Sequence, residues 1–187
     1  MELRFKIKEI PYDGTPIQVH QAVSRELLAT VFEGTEGDLE STVVNLDMQL
    51  MREHDNVIAR GRLIGSLVVP CGRCVDPATV PLHLKFDAIF SREGGSDVLD
   101  EDESVDSPDT YLHDGSTVSL ENPVREMLIA ELPIAPLCSA GCLGLCSVCG
   151  ANRNTEEGQA CGHMQDDPLA ETKTGLAAAL ADAKLRS

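Results

Sequence analysis

Between Val44 and Phe90 the chain alternates apolar and polar residues through three successive runs, a pattern that leaves little option but amphipathic β-strands. Val44, Leu46, Met48 and Leu50 alternate with Asn45, Asp47 and Gln49. After a polar turn at Arg52–Asn56, a second run places Val57, Ala59, Leu63, Leu67 and Val69 on one face. Gly61 and Gly65 interrupt that face, which marks a bulge or a close backbone approach. The third run is the most regular, with Val80, Leu82, Leu84, Phe86, Ala88 and Phe90 facing one way and Thr79, Pro81, His83, Lys85 and Asp87 the other. Three long strands with short connections predict an antiparallel meander, curled or barrel-like around one core.

The flanking segments predict an α+β protein with few helices. Leu3, Phe5 and Ile7 alternate with Arg4, Lys6 and Lys8, a half-buried strand over residues 2–9. Val19, Ala22, Val23 and Leu27 suggest a short helix over 19–30. Residues 109–119 read as a hairpin turning at His113-Asp114-Gly115. Val124, Met127, Leu128 and Leu132 fall at helical spacing, with Pro123 suited to the first turn and Pro133 as the stop. Asp167-Pro168 is a cap and first position for a terminal helix. The organisation expected is a β-rich domain over 1–93 with one short helix, an acidic mobile loop over 94–107, a hairpin and helix over 108–136 that pack on the β domain, and a cysteine-rich zinc segment with a terminal helix over 137–187.

Cysteine usage points to metal. Cys138, Cys142, Cys146, Cys149, Cys161 and His163 place six soft ligands within 26 residues. Zinc takes four such ligands in a tetrahedron. Cys146-x2-Cys149-Gly150 is the strongest part, because two cysteines three apart chelate one ion when the loop between them curls. Cys161-x-His163 supplies further ligands, and Cys138 and Cys142 compete for the same places. The competing reading is buried, unligated cysteine, but a short glycine-rich segment has too few apolar residues to fold by burial alone. Cys71-Gly72-Arg73-Cys74 lies apart, between two strands. A redox CxxC opens a helix, whereas Pro77 and a strand follow here. The pair is either a tight turn with two small thiols or a knuckle that joins the C-terminal ligands. Seven cysteines and His163 suffice arithmetically for two sites, and Arg73 at the tip is a candidate partner contact.

The formal net charge of -16, from 31 acidic against 15 basic residues, opposes binding to RNA phosphates or an anionic membrane and favours a basic protein partner. Aromatic residues make up only 3% of the chain, too few for a base-stacking platform. Arg60, Arg62, Arg73 and Lys85 are the candidates for a local basic face. No apolar run approaches the ~18 residues of a membrane span. The N-terminus lacks a secretory pattern, so an intracellular, cytoplasmic protein with reduced thiols is expected.

Together these features resemble the YceD family, bacterial large ribosomal RNA subunit accumulation proteins. The resemblance rests on Cys71-Gly-Arg-Cys74 between strands and on the helix Val124-Arg125-Glu126-Met127-Leu128-Ile129-Ala130-Glu131-Leu132-Pro133. It continues through Pro136-Leu137-Cys138, Cys142-x-Gly144-Leu145-Cys146-x2-Cys149-Gly150-x-Asn152-x-Asn154, Cys161-x-His163 and Asp167-Pro168. Where many members have Cys-x-Cys, this chain has Cys161-Gly-His163, and histidine also ligates zinc. The resemblance implies a non-enzymatic factor that supports 23S ribosomal RNA accumulation and large-subunit biogenesis. Its partners would be the large-subunit precursor and a basic ribosomal protein or assembly factor, with structural zinc as the cofactor. A nucleic-acid-binding zinc module would need a positive stripe beside the cysteines, yet only Arg153 lies between Cys138 and His163. A redox or metal enzyme would need an open metal position beside an acid or base, and the sequence offers no nucleophile–base pair.

Overall fold

The computed structural model describes residues 3–93 and 109–163. The acidic segment 94–107 and the terminal helix expected from Asp167-Pro168 lie outside the described residues. The chain divides into two compact units: Met1–Val69 with Pro77–Pro136, and Pro70–Asp76 with Leu137–Ser187.

The first unit is built on the alternating runs. They form β3 (Val43–Glu53), β4 (Asn56–Pro70) and β5 (Pro77–Arg92), which with β2 (Ile17–Ala22) and β6 (Asp109–His113) make a five-stranded sheet ordered β2-β3-β4-β5-β6. β3 and β4 pair antiparallel from Val43↔Ser66 to Glu53↔Asn56. The connection 71–76 is too short for a parallel crossover, which takes about a dozen residues, so β5 returns antiparallel beside β4. The apolar face reads as the alternation requires: Leu46, Met48, Leu50, Val57, Ala59, Leu63, Leu67, Leu82, Phe86 and Phe90 are all buried. The sheet is α+β in context and mostly antiparallel. It is open, with β2 and β6 at its edges, so it does not close into a barrel. Gly61 marks a close backbone approach: a Cβ there would collide with the Asp47 carbonyl oxygen and Met48 on the partner strand.

Three local expectations are corrected. The N-terminal strand is only β1 (Arg4–Lys6), because the chain turns into a single 3-10 turn at Ile7–Glu9 that buries Ile7. The helix expected over 19–30 is strand β2 (Ile17–Ala22) followed by α1 (Arg25–Val31). The apolar residues taken for one helical face straddle that junction: Val19 lies on the strand, while Leu27 follows Ser24, whose hydroxyl caps the helix by accepting from the Leu27 N–H at 3.3 Å. The segment 109–119 does turn at Asp114-Gly115, but it makes no hairpin. β6 (Asp109–His113) pairs parallel with β5, and β7 (Thr117–Ser119) pairs antiparallel with β1 in a separate two-stranded sheet. The sheet is therefore not wholly antiparallel, and the span from 93 to 108 is long enough for the parallel crossover.

α2 (Glu121–Glu131) follows β7 and buries Pro123, Val124 and Leu128. Leu132 leaves helical geometry at φ -62° and ψ 118°, the extended conformation forced on a residue before proline. α1, α2, Leu3, Ile7, Ile10 and the inner sheet face share one core cluster. His113 is buried at the end of β6: its Nδ1 accepts from the Gly115 N–H at 2.9 Å, so Nε2 carries the proton and donates to the Asp55 carbonyl at 2.8 Å. On the outer face, Arg60 pairs with Asp87 at 3.2 Å and Arg62 with Asp47 at 3.8 Å. The basic face expected on β4 is thus opposed charge by charge.

Candidate metal centres

The second unit contains all seven cysteines. Its Cys71–Asp76 segment is a tight turn. The Val75 N–H donates to the Cys71 carbonyl at 3.0 Å, and the Cys71 N–H to the Asp76 carbonyl at 2.8 Å. Cys146–Ala151 repeats this pattern, with the Gly150 N–H donating to the Cys146 carbonyl at 2.9 Å and the Cys146 N–H to the Ala151 carbonyl at 2.8 Å. Even the left-handed residue recurs: φ is 67° at Val75 and 73° at Gly150. The two Cys-x2-Cys turns are the same knuckle twice.

Each knuckle gains two more ligands. Cys71, Cys74, Cys138 and Cys142 form one group, and Cys146, Cys149, Cys161 and His163 form another, with the ligand atoms of each group all within 4.8 Å of one another. Cys138 and Cys142 lie with the first knuckle and not with Cys146 and Cys149. In the first group Cys71 Sγ lies 3.8 Å from Cys142 Sγ, and Cys74 Sγ lies 3.5 Å from Cys138 Sγ. Thiolates ~2.3 Å from zinc stand about 3.8 Å apart at the corners of a tetrahedron, so this spacing fits such an ion. In the second group, His163 Nδ1 is buried with no hydrogen-bond partner among the described residues. A ligated ion would satisfy it.

Hydrogen bonds hold the Cys71, Cys142 and Cys146 thiols below their ordinary range. Burial, the largest influence on Cys71, raises its pKa, but N–H groups of Arg73, Cys138 and Cys74 outweigh it and bring the thiol down to about 6. Cys146 falls to about 6 through the N–H groups of Cys149 and Val148. Burial pushes Cys142 up, yet the Asn154 amide, 3.4 Å from its sulfur, helps hold it below the ordinary thiol range. Cys74 is raised by burial.

The frame around the sulfurs is polar. Asn152 donates to Asp76 at 2.7 Å and forms a bridge with Leu145, while the Leu145 N–H donates to the Arg73 carbonyl at 3.0 Å. Asn154 accepts from the Leu143 N–H at 2.8 Å. α3 (Glu156–Gln159) is capped by Thr155, whose hydroxyl accepts from the Gly158 N–H at 3.1 Å. Arg73 is exposed at the first knuckle and donates from its guanidinium to the Cys142 carbonyl at 3.0 Å. Both groups can hold a metal ion, and thiolate-rich sets of this size suit zinc.

A family model described as large ribosomal RNA subunit accumulation protein YceD matches residues 59–174, across both knuckles and α2. The chain belongs to the YceD family. Among its relatives are an uncharacterized protein of Mycobacterium tuberculosis, 26% identical over 129 residues, 69% of this chain and 59% of the relative. One of Mycobacterium leprae is 27% identical over 172 residues, covering 88% of this chain and 76% of the relative. A maize protein named large ribosomal RNA subunit accumulation protein YCED homolog 1, chloroplastic, is 25% identical over 154 residues, covering 67% of this chain and 53% of the relative. The chain thus spans only 59% of the M. tuberculosis relative's length. No solved structure matches. The family description and the plant relative's name both refer to large ribosomal RNA subunit accumulation. Among the described residues, no helix is long and apolar enough to cross a membrane.

Proposed function

We propose that this protein is a non-enzymatic cytoplasmic factor that supports 23S ribosomal RNA accumulation and large-subunit assembly. Its second unit would be folded around two structural zinc ions, one held by Cys71, Cys74, Cys138 and Cys142, the other by Cys146, Cys149, Cys161 and His163. One observation carries the structural role of the metal: among the described residues of that unit, the buried side chains are Cys71, Cys74, Cys142 and Cys146. A unit whose interior is sulfur has no apolar core to hold it, and metal binding then becomes folding energy. Four protein ligands per ion leave no open position for substrate or water, which supports a structural rather than catalytic zinc. Membership of the YceD family supports the ribosomal role. The net charge of -16 favours a basic protein as the direct partner over RNA.

Two measurements test this reading. Elemental analysis is expected to find about two zinc ions per chain, with Cys146→Ser and Cys138→Ser each leaving about one. Sedimentation of ribosomes from a deletion strain is expected to show accumulated large-subunit precursors, cleared by the wild-type protein. Metal-free protein with an ordered second unit would refute the zinc assignment, and normal subunit profiles would refute the ribosomal one.

A further inference from the structure

The two knuckles differ at one position that matters. After Cys149 the left-handed residue is Gly150, which takes φ 73° without steric penalty; after Cys74 it is Val75 at φ 67°. A β-branched residue in that region is strained by its own Cβ. Such strain persists where the surroundings enforce it, or where the side chain is used. The surroundings gain nothing from this side chain, because Val75 is 61% exposed. It also has apolar company. In the same unit Val148, at the second knuckle's tip, is 59% exposed, Leu143 48% and Leu145 39%. Leu145 and Val75 lie on adjoining turns: the Leu145 N–H bonds the Arg73 carbonyl, and Asp76, next after Val75, holds the side chain of Asn152, which bridges Leu145.

We infer that Val75, with Leu145 and Leu143, forms a docking surface for a basic, apolar segment of a protein partner. Charge selects that partner. With both sites loaded, seven thiolates against two divalent ions leave three negative charges on the unit. Arg73 and Arg153 against Asp76, Glu156 and Glu157 leave one more among the described residues. An acidic mount with apolar tips attracts a cationic chain and repels phosphate. The assignment rests on the ribosomal reading above for its choice of probe: purified basic large-subunit ribosomal proteins, tested singly by fluorescence anisotropy at physiological salt.

Two variants separate strain from contact. Val75→Gly relieves the backbone, and Val75→Asn tolerates the left-handed conformation while removing the apolar surface. Both are expected to keep their metal and melt at the same temperature or higher, yet to bind the responsive ribosomal protein roughly tenfold more weakly. Several results would overturn the inference: wild-type protein binding no member of the panel, unchanged affinity in both variants, or metal loss in either. It would equally fall if the variants altered only binding to 23S RNA fragments or self-association in sedimentation. The ribosomal reading is judged separately by subunit profiles in the deletion strain, and it survives if Val75 proves idle.

Discussion

The two units solve the problem of holding a fold together by opposite means. The first hides aliphatic and aromatic side chains: Leu50, Val57, Leu63, Leu67, Val118 and Leu128 are each fully buried. The second hides sulfur and leaves Val75, Leu143 and Val148 to solvent. Burial of apolar surface is worth roughly 25 cal/mol per Å² and needs no cofactor. A sulfur interior without an ion brings thiols together with little gain. On the zinc reading, one unit would fold by solvent exclusion and the other would wait for a metal.

Metal removal should separate the two most sharply. Structural zinc in small knuckles carries ~10–16 kcal/mol of apparent binding energy, more than the second unit can replace. A strong chelator is expected to abolish amide protection in residues 137–163 while β3, β4 and β5 keep theirs, as hydrogen exchange would read. Uniform loss across both units would show that the sheet also depends on metal. Acidification sharpens the point. Zinc binds thiolate and neutral imidazole, so protons compete with it for both groups, and acid is expected to release the metal and open the second unit before the sheet.

Leu63→Ala should do the reverse. Removing a fully buried leucine from the sheet core costs ~2–5 kcal/mol, and denaturant melts of the first unit should record it with zinc content unchanged. The smallest effect is expected at Asp114, where the turn joins β6 to β7. Its carboxylate accepts from the Ser116 and Thr117 N–H groups at 2.8 and 2.9 Å, which hold it down to about 2. That contribution is complete above the ordinary carboxylate range and fades as pH falls toward 2. Asp114→Asn should therefore shift the melt slightly at neutral pH and not at all near pH 2. A large shift at neutral pH would mean that the turn matters more than an exposed loop should.

The same contrast explains what was legible in the sequence. β3, β4 and β5 could be read because each buries one face and exposes the other, which stamps a period of two on the residues. α2 could be read because Pro123 sits in its first turn and Pro133 follows its end. β2 was hidden: Val19 and Leu27 mimic helical spacing across a strand–helix junction, and only the alternation of Ile17, Val19 and Gln21 could have revealed it. The parallel pairing of β6 left no local mark, since its partner lies beyond a long connection. At the metal centres the residue types were legible, but their partition was not. Sequence spacing groups Cys138 and Cys142 with their near neighbours, whereas folding gives them to a knuckle far upstream. The repeat of the knuckle itself was masked by valine standing where its counterpart has glycine.

That partition sets an order of events on the translating ribosome. The second group lies within one stretch, Cys146 to His163, and would close on an ion soon after that stretch leaves the exit tunnel. The first cannot: Cys74 and Cys138 stand 64 residues apart. At ~5–20 residues per second, the early pair waits roughly 3–13 s for its partners. For that interval the nascent chain carries two unmated thiols, open to oxidants or to the wrong metal, while β5, β6, β7 and α2 are still being made.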